Sequence, residues 1–128
     1  MKRMLTLMCG ILMISSVAQA CGGITVKGKY CLSKHKMNWY SAYAWCKDQS
    51  KNLIDVNTVC GTNVSACSEL KLSSDEQNNI TANGGQVGTV WTGTSYSASH
   101  AFLVTLSSGQ VGGGPYSRNN PYYYALCH

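Results

Sequence analysis

Residues 38–53 read NWYSAYAWCKDQSKNL, and this stretch predicts the central helix of the fold. Asn38 can accept a hydrogen bond from a free amide of the first helical turn, which makes it an N-cap. The helix is expected to run for about three turns and to end near Lys51-Asn52, where a basic side chain meets the negative end of the helix dipole. Because the inward face carries a cysteine, the helix is predicted to be bonded to a distant part of the chain. The residues of that face recur every three or four positions; they are Trp39, Ala42, Trp45, Cys46 and Gln49.

The first twenty residues are predicted to form a secretory signal peptide. A basic start precedes a mostly apolar stretch at 4–17, and Ala18-Gln19-Ala20 has the small-x-small pattern of a cleavage site. The segment is too short for a stable transmembrane helix. Cys21 follows directly, so a lipoprotein is the alternative, although Gln19 fits a lipoprotein signal poorly. Residues 21–128 are therefore expected to form one domain of a secreted or periplasmic protein that does not span the membrane.

The cysteines predict three disulfide bonds. Of the seven in the chain, Cys9 leaves with the signal peptide, and an even number remaining in an exported chain argues for pairing. The first predicted hairpin begins and ends with a cysteine, as does a short polar loop in the middle of the chain, so each pair is expected to close its own loop. The two cysteines left over lie on the central helix and on the inward face of the last strand. The predicted bonds are Cys21–Cys31, Cys60–Cys67 and Cys46–Cys127.

Charge and ligand spacing argue against several classes of function. Without Lys2 and Arg3, the ten basic residues fall to eight against five acidic ones, a net charge of +3. The lysines are dispersed and form no basic stripe interleaved with aromatic residues, so nucleic acid is not an expected partner. No Cys-x-x-Cys pair occurs and the three histidines are scattered, so neither zinc nor another cofactor is predicted.

The sequence does not indicate an enzyme. A nucleophile needs a base and an orienting group beside it. All mature cysteines can be paired, no Gly-x-Ser-x-Gly motif is present, and few carboxylates are available for acid–base work. His100 is expected to be a loop residue.

The remaining elements follow from turn and capping signals. Lys27-Gly28-Lys29 is the predicted turn of a hairpin whose first strand holds Ile24 and Val26 and whose second begins at Tyr30. Ser73 and Glu76 form a capping box that starts a second helix ending near Ala82. Further strands are expected at residues 53–56, 87–94, 101–106, 110–111 and 121–127.

Several of these pieces, in this order, resemble a C-type lectin-like domain. The resemblance implies an α+β fold in which two helices pack on small antiparallel sheets stapled by disulfides. It covers nearly all of the mature chain, and the tail is also similar to compact bacterial members of the wider superfamily. The pieces are Tyr30-Cys31 with Cys21 upstream, Trp39-x-x-Ala42-x-x-x-Cys46 followed by Leu53, Leu72 to Gln77, Val90-Trp91-Thr92-Gly93 and Ala125-Leu126-Cys127.

The calcium site of the family's sugar binders is missing from this sequence. Those proteins carry Glu-Pro-Asn or Gln-Pro-Asp in a long loop and Trp-Asn-Asp before the last strand. Calcium takes six to eight oxygen ligands, several of them from carboxylates. No Asp or Glu follows Glu76, so any binding function is predicted to be calcium-independent.

Residues 95–124 have the composition of a binding surface, rich in Ser, Gly, Tyr and Asn with a single Arg. The alternative is that these are ordinary turn residues of a Gly-rich sheet protein. We predict an exported binding module whose ligand is a glycan or a protein surface. The alternative function is a structural subunit of a surface or pilus-type assembly, and solution size would separate the two. The candidate ligand-binding residues are Tyr96, Tyr116, Arg118, Asn119, Asn120 and Tyr122.

Overall fold

A computed structural model of the protein describes residues 20–112 and 117–128. The predicted signal peptide, apart from Ala20, and the candidate Tyr116 lie outside the described residues. The strands are β1 Ile24–Val26, β2 Tyr30–Leu32, β3 Thr89–Ser97, β4 His100–Thr105, β5 Val111–Gly112 and β6 Tyr124–Cys127. The helices are α1 Trp39–Asp48, α2 Val56–Val59 and α3 Ser74–Ala82. The fold is therefore α+β, as predicted.

The strands form one sheet in the order β1-β2-β6-β3-β4-β5. β6 is antiparallel to β2, with Cys31 opposite Cys127, and parallel to β3, with Trp91 opposite Ala125. The other pairs are antiparallel. The prediction of small, wholly antiparallel sheets was wrong in this respect, because β6 joins the N-terminal hairpin to β3–β5 in one continuous sheet.

Strand alternation divides the core between the two faces of the sheet. One cluster contains Val90, Val104 and Leu126, and the other contains their neighbours Trp91, Leu103 and Ala125 among its buried residues. The second cluster lies under α1, which buries Ala42 and Cys46 against it. Cys127 also belongs to the second cluster, which confirms its predicted inward direction, and Tyr123 joins it four residues earlier on the same face.

The central helix begins as predicted and ends slightly earlier. The Asn38 side chain accepts a hydrogen bond of 2.9 Å from the Ser41 N–H, which confirms the N-cap. The helix ends at Asp48 rather than near Lys51, because Gln49 is already the C-cap and Ser50 turns the chain with a φ of 60°. The predicted inward stripe is confirmed, with Ala42 and Cys46 fully buried and the indoles partly buried.

The capping box of the second predicted helix, α3, is also confirmed. The Glu76 N–H donates to the Ser73 Oγ at 3.2 Å, and the Ser73 N–H donates to the Glu76 Oε1 at 2.8 Å. The helix ends at Ala82, as the Asn83-Gly84 signal predicted.

The strand predicted at residues 53–56 is wrong. Leu53 forms only an isolated bridge with Cys127. Two residues later the Asp55 side chain accepts a 3.0 Å hydrogen bond from the Asn57 N–H, so the chain turns into the short helix α2. An N-cap aspartate thus overrides the β-branched pattern that favoured a strand.

The structure contains all three predicted disulfide bonds, Cys21–Cys31, Cys46–Cys127 and Cys60–Cys67. Such bonds form and persist in oxidising compartments, which suggests an extracytoplasmic protein. In the described part of the chain, no helix has the length and apolar character required to cross a bilayer.

Candidate binding surface

A row of two aromatic rings between two cations runs along the outer side of α1. Trp39, Tyr43 and Lys47 are four residues apart, so their side chains neighbour one another along the helix. The rings of Trp39 and Tyr43 are stacked, with centroids 5.3 Å apart and planes inclined by 25°. Lys47 Nζ lies 5.4 Å from the Tyr43 ring centroid, and Arg118 Cζ lies 4.2 Å from that of Trp39. We call Arg118, Trp39, Tyr43 and Lys47 the aromatic row.

Much of this aromatic surface faces solvent. Tyr43 is 44% exposed, and the neighbouring Tyr40, whose ring meets that of Trp39 edge-on at 5.3 Å, is 51% exposed. Trp39 itself is half-buried, and its indole Nε1–H donates to the Thr92 carbonyl at 2.9 Å. The indole is therefore held against the sheet, while the tyrosines remain open to a partner.

Arg118 fastens the loop before β6 to the helix and to the β3–β4 hairpin. Its carbonyl accepts from the Trp39 N–H at 2.9 Å, and its own N–H donates to the Ser99 carbonyl at 2.9 Å. Its guanidinium Nη2 donates to the Ser95 Oγ at 2.6 Å. Its Nε is buried without a hydrogen-bond partner in the described chain, an arrangement that costs free energy. Arg118 thus positions the row besides being a candidate ligand contact.

The other described candidates of this loop lie directly after Arg118. Asn119 is exposed, and the Asn120 Oδ1 accepts from the Tyr122 N–H at 3.0 Å. Tyr122 is 65% exposed. The loop therefore presents a tyrosine ring and the Asn119 carboxamide to solvent, whereas the Asn120 oxygen already holds the turn together.

Tyr96 does not join this surface. Its ring meets that of Phe102 edge-on, with centroids 5.5 Å apart. Phe102 packs against the core cluster of Val90 and Leu126, on the face of the sheet away from α1, whereas Ser95 bonds to Arg118. Tyr96 therefore lies on the opposite face of the β3–β4 hairpin, although sequence reasoning grouped it with Arg118.

Sequence reasoning missed two residues of the row and the neighbouring Tyr40, although a signal for them was present. Tyr40, Tyr43 and Lys47 recur at intervals of three and four residues on α1, which is a second helical stripe outside the buried one. The predicted periodicity covers only the inward face of this helix, and the composition signal covers only the loops, so neither identifies this second stripe.

The two cations of the row have no acidic partner in residues 20–112 and 117–128, whose ion pairs are made elsewhere. Both of those ion pairs use Glu69, which lies 2.7 Å from Lys29 Nζ and 3.6 Å from Lys27 Nζ. The hydrogen bond from Lys29, followed by that from Tyr30, lowers the pKa of Glu69 to about 2. Burial and the hydrogen bond to Glu69 raise the pKa of Tyr30 to about 12. Because Lys47 and Arg118 are not paired with a carboxylate of the described residues, the aromatic row is a positively charged surface.

No catalytic constellation accompanies the surface in the described residues. The His100 Nδ1 lies 2.9 Å from the Ser99 Oγ and 3.1 Å from the Ser97 Oγ, but no carboxylate of the described chain bonds to the ring. An orienting acid is what makes such a pair a nucleophile and base. Across the same residues there is no cluster of three or more His, Cys, Asp or Glu side chains arranged to hold a metal.

Neither the models of known protein families nor curated protein sequences match this chain.

Proposed function

We propose that this protein is a secreted or periplasmic, calcium-independent binding module of C-type lectin-like fold, and that it is not an enzyme. Its ligand is a glycan or a protein surface, which contacts the aromatic row and the loop at 117–122. The observation that carries this proposal is the solvent-facing stack of Trp39 and Tyr43 between Arg118 and Lys47.

The composition and rigidity of the row support binding. Trp, Tyr and Arg are the residues enriched at binding hot spots, and tyrosine offers a large contact area at low entropic cost. The row stands on α1, which the Cys46–Cys127 bond ties to β6. A surface that is ordered before binding loses less entropy when a ligand arrives.

Calcium independence is supported by the donors near the row. The loop at 117–122 offers carboxamides and hydroxyls but no carboxylate, and no Asp or Glu occurs after Glu76. A calcium site normally draws several of its six to eight oxygens from carboxylates.

The proposed location is supported by the sulfur chemistry of Cys21. Its sulfur is bonded to that of Cys31, and a sulfur in a disulfide is not available for a thioether bond to a lipid. This favours a secreted or periplasmic product over a lipoprotein anchored through Cys21.

The proposed fold family is supported by the parts that carried the resemblance. The disulfide between the first long helix and the last strand is present, and Trp91 of the Val-Trp-Thr-Gly strand is fully buried beside β6. A second long helix, α3, begins at the expected capping box.

The test uses residues 21–128, screened against glycan and envelope-protein arrays and then titrated with the strongest hit. Tyr43→Ala and Tyr122→Ala are each expected to weaken binding about thirtyfold, because hot-spot truncations cost at least about 2 kcal/mol. Tyr96→Ala is the matched control, since it removes a tyrosine of similar exposure from the opposite face. Binding that survives both row and loop substitutions would refute the proposed surface.

The same variants test the assembly alternative. A monodisperse monomer by light scattering supports the binding module. A fixed oligomer or polymer that Tyr43→Ala dissolves would instead assign the row to contacts between copies, as in a structural subunit.

A further inference from the structure

A cavity of about 190 Å³ lies on the other face of the sheet from the aromatic row, between residues 56–64 and the strands β3, β4 and β5. Its apolar wall belongs to the core cluster on that side. Tyr96 contacts the lining residue Phe102 edge-on but does not itself line the cavity. The apolar lining residues are Val56, Val64, Phe102 and Val111.

The rim of the cavity is polar, and some of its side chains make no hydrogen bond within the described chain. The side chains of Asn57, Thr62 and Asn63 line it and make no hydrogen bond to the rest of the described chain. Thr94 also lines it, but its hydroxyl is occupied, because it donates to Asp55 at 2.9 Å and accepts from the Val56 N–H at 2.8 Å. Two carboxamides and one hydroxyl are therefore available to a ligand.

The rim is held in place by covalent and backbone bonds. The Cys60–Cys67 disulfide closes the loop that carries Thr62 and Asn63. The Val111 N–H donates to the Ser65 carbonyl at 2.9 Å, which attaches the loop to β5. Asn63 adopts a φ of 58°, a conformation that few residue types accept. The cavity is thus formed before any ligand binds.

We propose that this cavity is a binding site for a single neutral sugar ring, separate from the surface of the proposed function. A pyranose has hydroxyl groups that exchange hydrogen bonds with carboxamides and a C–H face that packs on aromatic rings. The polar rim and the Phe102 ring present those two partners on one site. The volume is below the roughly 300–1,000 Å³ of sites for drug-sized ligands, so one ring is accommodated rather than an oligosaccharide.

The charges around the cavity favour a neutral ligand. Among the described residues, no ionisable side chain lines it. The carboxylate of Asp55, which is bonded to the lining residue Thr94, accepts hydrogen bonds from Thr94, Thr58 and the Asn57 N–H, and these bonds lower its pKa. Asp55 is therefore ionised at neutral pH, which disfavours an acidic sugar, and both of its oxygens already accept hydrogen bonds from the protein.

The test is an NMR titration of residues 21–128 with the methyl glycosides of glucose, galactose, mannose and N-acetylglucosamine. We expect at least one of them to shift the amide signals of residues 56–64 and 94–102, with a Kd on the order of 1 mM for so small a ligand. A trisaccharide ending in the same ring should bind within about threefold of the monosaccharide, since the cavity holds one ring. Glucuronate should bind at least about tenfold more weakly, because its charge would be placed near Asp55.

Two substitutions test whether the rim side chains bind the sugar. Asn63→Gly removes a carboxamide while keeping a residue that accepts positive φ, and Asn57→Ala removes the other. Each is expected to weaken sugar binding about tenfold, and Tyr43→Ala should leave it unchanged. Melting curves identify any variant that is unfolded, in which case Thr62→Val takes its place.

The inference is overturned if none of the sugars shifts signals of the lining residues, if glucuronate binds as tightly as the neutral sugars, or if the rim variants bind like the wild type. None of these results bears on the aromatic row. Conversely, loss of array binding in Tyr43→Ala leaves the cavity unaffected.

Discussion

The disulfide between α1 and β6 should stabilise the fold more than the local disulfide of the middle loop. Cys46 and Cys127 are 81 positions apart, whereas Cys60 and Cys67 are only 7 apart. We expect replacement of both cysteines by alanine to lower the free energy of unfolding more for the first pair than for the second.

The loop lengths set the size of the difference. In the chain-entropy account, a bond that closes about 80 residues is worth about 4.5 kcal/mol and one that closes about 8 residues about 2.5 kcal/mol. The expected gap is therefore about 2 kcal/mol on this account. Lost packing widens it, because Cys46 and Cys127 are both fully buried whereas Cys60 is only partly buried.

The measurement is urea unfolding of the two double variants and the wild type under oxidising conditions, with a separate m-value fitted for each. Separate fits are needed because removing a long-range bond expands the denatured chain and raises m. Equal losses in the two variants, within the error of extrapolation, would refute the reasoning. A larger loss for the Cys60–Cys67 pair would also do so, because it would show that the middle loop supports the core more than the α1–β6 bond does.

Four further predictions concern pH, metal and backbone. The pKa of Glu69 is about 2 in the folded state against an ordinary value of 4.5. Its contribution to stability is therefore present above pH 4.5 and is lost as the pH falls toward 2. Glu69→Gln should flatten that part of an acid titration followed by circular dichroism. The folded-state pKa of Tyr30 is raised from 10 to about 12, so stability should also fall as the pH rises through this window, and Tyr30→Phe should remove that loss. Millimolar calcium should leave the melting temperature unchanged, and a rise reversed by a chelator would contradict calcium independence. Gly109→Ala should lower the melting temperature more than Gly28→Ala. Both glycines have positive φ, but only a Cβ at position 109 would lie 2.5 Å from a backbone oxygen, that of Cys67. Equal falls in melting temperature would show that the backbone relaxes.

Local chemistry made much of this fold predictable. The N-cap at Asn38, the capping box at Ser73 and the three disulfides all follow from residue types and spacing, and all are present. The parallel pairing of β3 with β6 was not predictable in this way. It depends on which strand takes the place beside β2, and that is decided by packing between residues far apart in sequence.

The candidate surface was predictable only in part, for a related reason. Composition pointed to the loop containing Arg118, but it did not show that the Arg118 guanidinium lies over Trp39. Nor did it separate Tyr96 from that loop, because the side of the sheet on which a strand residue lies depends on the register of the hairpin. The full burial of Trp91, by contrast, agrees with strand alternation alone.

The position of β6 has a consequence for how the protein matures. The hairpin of β1 and β2 and the meander of β3 to β5 share no strand pairing except through β6, which follows all of them in sequence. Cys21–Cys31 and Cys60–Cys67 each join residues close in sequence and can form locally, whereas the partner of Cys46 lies 81 positions later, in the last strand. The final strand and the final bond are therefore expected to form together, late in folding, because both depend on contacts between residues far apart in sequence.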